Sequence, residues 1–227
     1  TDTPISAALK LMEPGRGDFL LESVEGGAVR GRYSLLGIAP DLVFRAHGTQ
    51  AEINRQWGTA PEAFVPLPNG PLEELRALVA ECHADIDPAL PAALACLVGY
   101  FGYETMALVE KLPRPPENPI AVPDMLFVRP TVILIFDRLT DALYLVAPVW
   151  KGSFADPDAA IAQALERIDA AAARLAAPLP ARLPAGDLPE PVMTPQLAPG
   201  RYAEMVLRAK DYIVAGDIFQ VVLAQRF

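Results

Sequence analysis

Residues 19–40 read FLLESVEGGAVRGRYSLLGIAP, and the rest of the chain is organised around this stretch. Two apolar runs, residues 19–21 and 33–36, flank an insert of charged residues, serine and glycine. Apolar runs bounded by glycines and charges predict two strands joined by a loop. Glu22 and Ser23 then end the first strand, close enough to the core to be partly desolvated.

Glu22 is the residue of this stretch that most needs a partner. A partly desolvated carboxylate costs free energy unless a cation or hydrogen-bond donors meet it. Arg32 is the candidate within the chain, and the ammonium of an amino-acid ligand is the other. The ordinary interpretation is that a polar strand end caps a turn or pairs with a nearby arginine, and the local residues leave both readings open. Three scattered residues, Arg45, Arg129 and Arg138, are assigned no special role.

The first half of the chain continues as a predicted antiparallel meander. Residues 41–46 and 51–55 predict two further strands around a turn. A helix follows, with Asn69 as its N-cap and apolar residues at helical spacing as far as Cys82. Residues 92–103 are continuously apolar with two glycines, which predicts a buried strand with close backbone approach.

The second half predicts a hairpin, two helices and a last strand. Residues 127–136 and 142–149 form the hairpin. A helix starts at Asp156, and its apolar stripe consists of Ile161, Leu165, Ile168, Ala172 and Leu175. Residues 176–200 hold seven of the chain's 24 prolines and predict a surface linker. A helix ending before Gly216 follows it, and residues 218–227 predict a strand.

Composition excludes several classes of protein. The chain has 227 residues, 52% of them hydrophobic and 21% charged, which is typical of a soluble globular protein. Its net charge of −9 disfavours nucleic acid and anionic membrane surfaces as partners. No apolar run approaches the roughly 20 residues of a spanning helix. Two cysteines, Cys82 and Cys96, are interpreted as reduced thiols in a cytoplasmic protein.

Residues typical of catalysis are scarce. No glycine-rich loop precedes a helix, so a nucleotide fingerprint is missing. His47 and His83 are the only histidines, and both are interpreted as surface residues. Glu104 and Glu110 form a possible carboxylate pair, but a solvated helix face is the simpler interpretation. The residues therefore predict no catalytic site and no metal site in this chain.

Three stretches resemble one family, the large, chorismate-using subunit of anthranilate synthase. LLESVE with RGRYSLLG, LVGYFGYETMALVEKLP and AKDYIVAGDIFQVVLAQRF occur here in the family's order, and residues 122–148 are also similar. The resemblance implies an α+β fold of antiparallel sheets packed face to face with helices outside, truncated here because the chain ends within an expected interior strand. It also implies a tryptophan feedback site at Leu21, Glu22 and Ser23, with Tyr33 and Ser34 as weaker additions.

What the family does follows only from that resemblance. The parent reaction converts chorismate and ammonia to anthranilate and pyruvate, with ammonia supplied from glutamine by a separate amidotransferase subunit, component II. The chorismate and Mg²⁺ residues of the family lie in its C-terminal half, so this chain is expected to be inactive alone. The implied organisation is a regulatory domain at residues 1–175, a linker at 176–200 and the start of the chorismate-binding domain at 201–227.

Two alternatives stay open. Aminodeoxychorismate synthase is the nearest relative family, although it usually carries a small polar residue where this chain has Val221 and Val222. A stand-alone amino-acid-binding regulatory module is the other, and an uncapped last strand disfavours it.

Overall fold

The chain forms two compact units, Thr1–Pro180 and Ala181–Phe227. The computed structural model describes residues 2–22, 31–88, 90–91, 93, 95–111, 118, 120–150, 154, 156–180 and 190–227. Within those residues, the elements in chain order are α1 (Pro4–Leu11), β1 (Phe19–Leu21), β2 (Tyr33–Ile38), β3 (Leu42–His47), β4 (Gln50–Asn54), β5 (Val65–Pro66), α2 (Pro71–Glu81), β6 (Val98–Phe101), a 3₁₀ helix (Tyr103–Leu108), β7 (Met125–Arg129), β8 (Val132–Asp137), β9 (Ala142–Val146), α3 (Pro157–Ala176) and α4 (Arg201–Ala215).

The strands form two antiparallel sheets. The first sheet has the order β1-β2-β8-β9 and the second has the order β5-β4-β3-β7-β6. Helices α1 and α3 pack on one face of the first sheet, where Leu36, Leu134 and Leu175 share a core. Helix α2 packs on the second sheet, in a core with Phe44 and Met125. The predicted α+β class, with antiparallel sheets and helices, is confirmed.

A bent two-stranded ribbon joins the sheets. β2 pairs with β8 in the first sheet, and their continuations β3 and β7 pair in the second. Between them, the N–H of Asp41 donates to the carbonyl of Arg129 at 3.1 Å and that of Thr131 to Ile38 at 3.2 Å. Pro130 supplies no N–H, so the predicted strand 127–136 divides there into β7 and β8. The single-strand prediction is therefore wrong.

Helix α3 buries a different face from the predicted one. Ile161 is 52% exposed, whereas Ala160 and Ala171 are 0% and 3% exposed. Ala171 and Leu175 share a core with Ala7 and Leu11 of α1. The alanine face is buried because its small side chains let the helix approach its neighbours closely. The predicted stripe is therefore wrong at three of its five positions, whereas Ile168 is half-buried and Leu175 is buried.

Other boundaries also differ from prediction. Helix α2 has Gly70 as its N-cap, and Asn69 instead donates to Glu74. The strand predicted at 92–103 is shorter in the structure, where it is β6. This strand is largely exposed and lies at the edge of the second sheet, paired with β7. Residues 218–227 do not form the predicted strand. A strand needs a ladder of hydrogen bonds to a neighbouring strand, whereas in this segment the N–H of Gln196 donates to the carbonyl of Arg226 without such a ladder.

Several predictions are confirmed. The strands around residues 47–50, the β8–β9 hairpin and the helix capped by Asp156 all form. Helix α4 ends at Gly216, whose φ of 83° is the left-handed conformation that glycine adopts readily. The predicted domain boundaries at 175 and 200 stay predictions.

Candidate functional site

The end of the first sheet gathers most of the predicted site. There β1 stops, β2 starts and β8 turns into β9. Ser34 pairs with Phe136 in register, and Tyr33 pairs with Asp137. Leu21 pairs with Leu35. Antiparallel pairing therefore brings the β1–β2 segment and the end of β8, about a hundred residues further along the chain, to one sheet end.

Three side chains meet there, and we call Glu22, Ser34 and Arg138 the Glu22 cluster. Arg138 Nη2 donates to Glu22 Oε1 at 3.0 Å and, over a longer 3.5 Å, to Ser34 Oγ. Ser34 is fully buried, whereas the side chains of Arg138 and Glu22 are 41% and 27% exposed. The cluster is thus a buried hydroxyl beneath an ion pair that solvent reaches.

Glu22 does pair with an arginine, but the predicted partner is wrong. Arg32 instead donates from Nε and Nη2 to Asp137, at 2.8 and 2.6 Å. The carboxylate of Asp137 is 1% exposed, so it has the greater need of a charged partner. Arg32 therefore pairs with Asp137, and Arg138 pairs with Glu22.

Asp137 holds the turn that presents Arg138. Besides Arg32, its carboxylate accepts from Leu139 N at 3.0 Å and from Thr140 Oγ1 at 2.8 Å. The hydrogen bonds from Arg32 lower the pKa of Asp137 well below its ordinary value, and those from Thr140 and Leu139 add to the effect against the opposing effect of burial. A charged Asp137 therefore fixes the β8–β9 turn, and Arg138 with it.

The predicted site residues divide between the two faces of the sheet. Ser34 shares the face of Phe136, and Glu22 reaches that face through Arg138. Tyr33 lies on the opposite face, where the guanidinium of Arg32 sits 4.8 Å from its ring centre. Leu21 is exposed on the opposite face as well, and Ser23 lies outside the described residues. The structure thus brings Glu22 and Ser34 together and places Leu21 and Tyr33 behind them.

Arg138 is the residue that sequence reasoning missed. The β8–β9 hairpin was predictable, and Arg138 is the first residue of its turn. Its contact with Glu22 depends on the pairing of β2 with β8, whose residues lie about a hundred positions apart. No local sequence pattern predicts the pairing of β2 with β8, so the hairpin alone does not indicate which residue Arg138 contacts.

A second polar network lies beside α2. The side chain of Arg129 is 6% exposed and donates to both oxygens of Asp41 at 2.8 Å, with Glu81 at 3.4 Å. Arg55 forms two further hydrogen bonds with Glu81, at 2.7 Å each, and these lower the pKa of Glu81. Arg129 therefore has a structural role in this network, which the sequence alone did not indicate.

Both cysteines are free thiols, and burial raises the pKa of each. Arg129 approaches Cys82 at 3.9 Å, which opposes that rise without reversing it. Thiols with raised pKa values are poor nucleophiles at neutral pH. These cysteines are therefore structural.

Two cavities of the first unit lie away from the Glu22 cluster. One of about 420 Å³ is lined by Arg16, Pro40, Trp57 and their neighbours. Another of about 470 Å³ lies between α1 and the loop that follows it, and neither is lined by the Glu22 cluster. The cluster is polar, and among the described residues solvent reaches its ion pair.

Neither a metal-binding cluster nor a membrane-spanning helix is present in the described part of the chain. There, no three side chains of histidine, cysteine, aspartate or glutamate gather in a way that holds a metal ion. No helix among the same residues is both long and apolar enough to cross a membrane. The Mg²⁺ that the family resemblance implies stays a prediction.

Known proteins resemble the chain over nearly its whole length. Residues 19–227 match the family described as chorismate binding enzyme. Anthranilate synthase component 1 of Cereibacter sphaeroides is 43% identical over 227 residues, which cover 100% of this chain and 45% of that protein. The Thermus thermophilus protein of the same name is 37% identical over 238 residues, covering 99% and 45%.

A solved structure gives the same fold. The crystal structure of anthranilate synthase component I from Streptococcus pneumoniae superposes with a TM-score of 0.66 at 23% identity, covering 99% of this chain and 46% of that one. At that identity the likeness concerns the fold alone. The chain spans less than half the length of the curated relatives that it matches.

Proposed function

We propose that this chain, which belongs to the family of chorismate-binding enzymes, is the N-terminal, tryptophan-sensing portion of an anthranilate synthase component I. The similarity to two proteins of that name over the full chain supports the proposal, and so does the fold. The similarity also favours anthranilate synthase over aminodeoxychorismate synthase and over a stand-alone regulatory module.

The Glu22 cluster is the observation that carries the sensing role. Tryptophan presents an ammonium, a carboxylate and an indole ring. Glu22 lies at a strand end where solvent reaches it, and its carboxylate suits the ammonium. Ser23, from the same motif, is proposed to hydrogen-bond the ligand, and Ser34 to line the site. Leu21 and Tyr33 lie on the opposite face of the sheet, so any part they take in tryptophan binding would be through support of the strands that carry the site. Apolar strand residues would cover the ring.

Catalysis is proposed for the parent enzyme and not for this chain. The reaction would take chorismate and ammonia to anthranilate and pyruvate, with the ammonia delivered by the glutamine amidotransferase, component II. Chorismate and Mg²⁺ would be held by the remainder of the enzyme, whose relatives are more than twice as long as this chain. Alone, the chain is expected to make no anthranilate.

Feedback inhibition would then be a coupling between two sites. Allosteric coupling free energies are typically ~1–3 kcal/mol. This chain would supply part of the tryptophan site, and a downstream segment would close it. Tryptophan binding to the chain alone is therefore expected to be weaker than binding to the whole enzyme.

The test separates sensing from catalysis. The chain is titrated with L-tryptophan in a calorimeter, and in parallel it is mixed with chorismate, ammonium and Mg²⁺ while anthranilate fluorescence is followed. Saturable tryptophan binding without anthranilate formation supports the proposal. Formation of anthranilate contradicts the assignment of catalysis to the remainder, and a folded chain that binds no tryptophan contradicts the sensing role.

A further inference from the structure

The starting observation is that Glu22 already has a cationic partner. Its carboxylate is 3.0 Å from Nη2 of Arg138. A ligand that offers only an ammonium would either add a second cation beside Arg138 or displace its guanidinium from Glu22. Such an exchange of one cation for another gains little, because the charge count of the site does not improve.

A zwitterion solves this difficulty. Both side-chain hydrogen bonds that Arg138 donates to described residues use Nη2, and a guanidinium has five N–H donors in a planar fork. Once Glu22 turns to the ammonium, Nη2 together with Nε suits the two oxygens of a carboxylate, which arginine binds in a bidentate manner, as Arg32 binds Asp137 through the same two nitrogens. An α-amino acid can thus split the ion pair and satisfy both halves of it.

The geometry points to Arg138 as the residue that binds the α-carboxylate of the sensed amino acid, while Glu22 binds its ammonium. This inference rests on the proposed tryptophan-sensing function and adds the residue that selects for a zwitterion. Arg138 is well placed for the role, because Ser34 lies beneath its head group and Asp137 fixes the turn that carries it. Its side chain is 41% exposed, so a ligand reaches it.

The experiment compares three ligands that differ only in their charged groups. L-Tryptophan carries both groups, tryptamine lacks the carboxylate and indole-3-propionate lacks the ammonium. Each is titrated by calorimetry into the wild-type chain and into the Arg138→Met, Arg138→Lys and Glu22→Gln variants. Arg45→Met is the matched control, because Arg45 forms a comparable ion pair with Glu52 at 2.8 Å in the other sheet.

Arg138→Met is expected to weaken L-tryptophan binding about tenfold or more, as for loss of a charge-assisted hydrogen-bonded pair. Tryptamine binding should stay equal or improve, since Glu22 loses its internal competitor. Glu22→Gln should weaken tryptamine and spare indole-3-propionate. Arg138→Lys should recover part of the loss, and Arg45→Met should change none of the three affinities.

The outcomes separate this inference from the proposed function. If the wild-type chain binds L-tryptophan and Arg138→Met leaves that affinity unchanged, the inference is wrong and the sensing role stands. Equal weakening of L-tryptophan and tryptamine in Arg138→Met would assign Arg138 a structural role only, which also overturns the inference. A wild-type chain that is folded and binds no L-tryptophan overturns both.

Discussion

Arg138 and Glu22 stand 116 residues apart in the sequence, and their charged groups meet at 3.0 Å. The contact exists because β2 pairs with β8, which brings the hairpin turn after Asp137 to the end of β1. Asp137 holds that turn through hydrogen bonds to Leu139 and Thr140. The position of the candidate site therefore depends on the whole first sheet and on one buried carboxylate.

That carboxylate makes the stability of the first unit sensitive to acid. The pKa of Asp137 is lower in the folded chain than in the unfolded chain, where it is about 3.9. The stability that the charged carboxylate contributes is therefore complete above pH ~3.9 and is lost as the pH falls through the pKa of the folded chain. Asp137→Asn should lower the urea midpoint at neutral pH. The difference from wild type should shrink steadily below about pH 4.

Tryptophan fluorescence measures this, because both tryptophans, Trp57 and Trp150, belong to the first unit. Asp85→Asn is the control, since Asp85 is fully exposed, and its midpoint should follow wild type at every pH. A gap between wild type and Asp137→Asn that stays constant through the acid range would count against the role given to Asp137.

The close contact between β6 and β7 can be tested by adding a methyl group to a glycine of β6. A Cβ at Gly99 would overlap the carbonyl oxygen of Leu126, a backbone atom of β7 that cannot rotate away. Gly99→Ala should lower the free energy of unfolding by about 1–3 kcal/mol. Gly58→Ala, where nothing lies within 4 Å of the new Cβ, should stay within about 0.5 kcal/mol. Urea unfolding measures both, and equal effects would mean that β6 does not lie against β7 as described.

Helix α3 tests which face is buried. Ala171 is 3% exposed in the core shared with α1, so Ala171→Leu should cost about 1–3 kcal/mol through overpacking. Ile161 is 52% exposed, and Ile161→Ala should change stability by no more than about 0.5 kcal/mol. The opposite ranking in thermal melts would restore the stripe that the sequence predicts.

Arg129 tests the polar network beside α2. Arg129→Met removes a guanidinium that is 6% exposed and leaves two carboxylates, each about a third exposed, without it. Breaking a fully buried pair costs roughly 3–5 kcal/mol, and the exposure of the partners reduces the expected loss to about 2–3 kcal/mol. Arg201→Met, which breaks an exposed ion pair in α4, should cost less than about 1 kcal/mol. Chemical denaturation measures the free energy of unfolding of both variants. If Arg129→Met lowers it as little as Arg201→Met does, the structural role of Arg129 is contradicted.

Local sequence patterns predicted what depends on neighbouring residues. The β3–β4 turn, the β8–β9 hairpin and the caps at Asp156 and Gly216 all rest on a few adjacent positions, and each is confirmed. The patterns missed what depends on tertiary contacts. The buried face of α3 consists mostly of alanines, which do not stand out as an apolar stripe in an alanine-rich helix. Hydrophobic spacing therefore could not identify that face.

The candidate site shows the same division. Glu22 was identified as a carboxylate in need of a partner, and the kind of partner was right. Which arginine supplies it depends on Asp137, whose burial is set by strands far away in the sequence. The choice between Arg32 and Arg138 was therefore beyond any local argument.

The most direct measurement is a calorimetric titration of L-tryptophan into the wild-type chain and into Glu22→Gln. Glu52→Gln serves as the control, because Glu52 also pairs with an arginine and is similarly exposed, at 32% against 27% for Glu22. Saturable binding by wild type and Glu52→Gln, weakened about tenfold or more in Glu22→Gln, is the expected result. Equal binding by all three chains, or no binding by a folded wild-type chain, would contradict a tryptophan sensor built on Glu22.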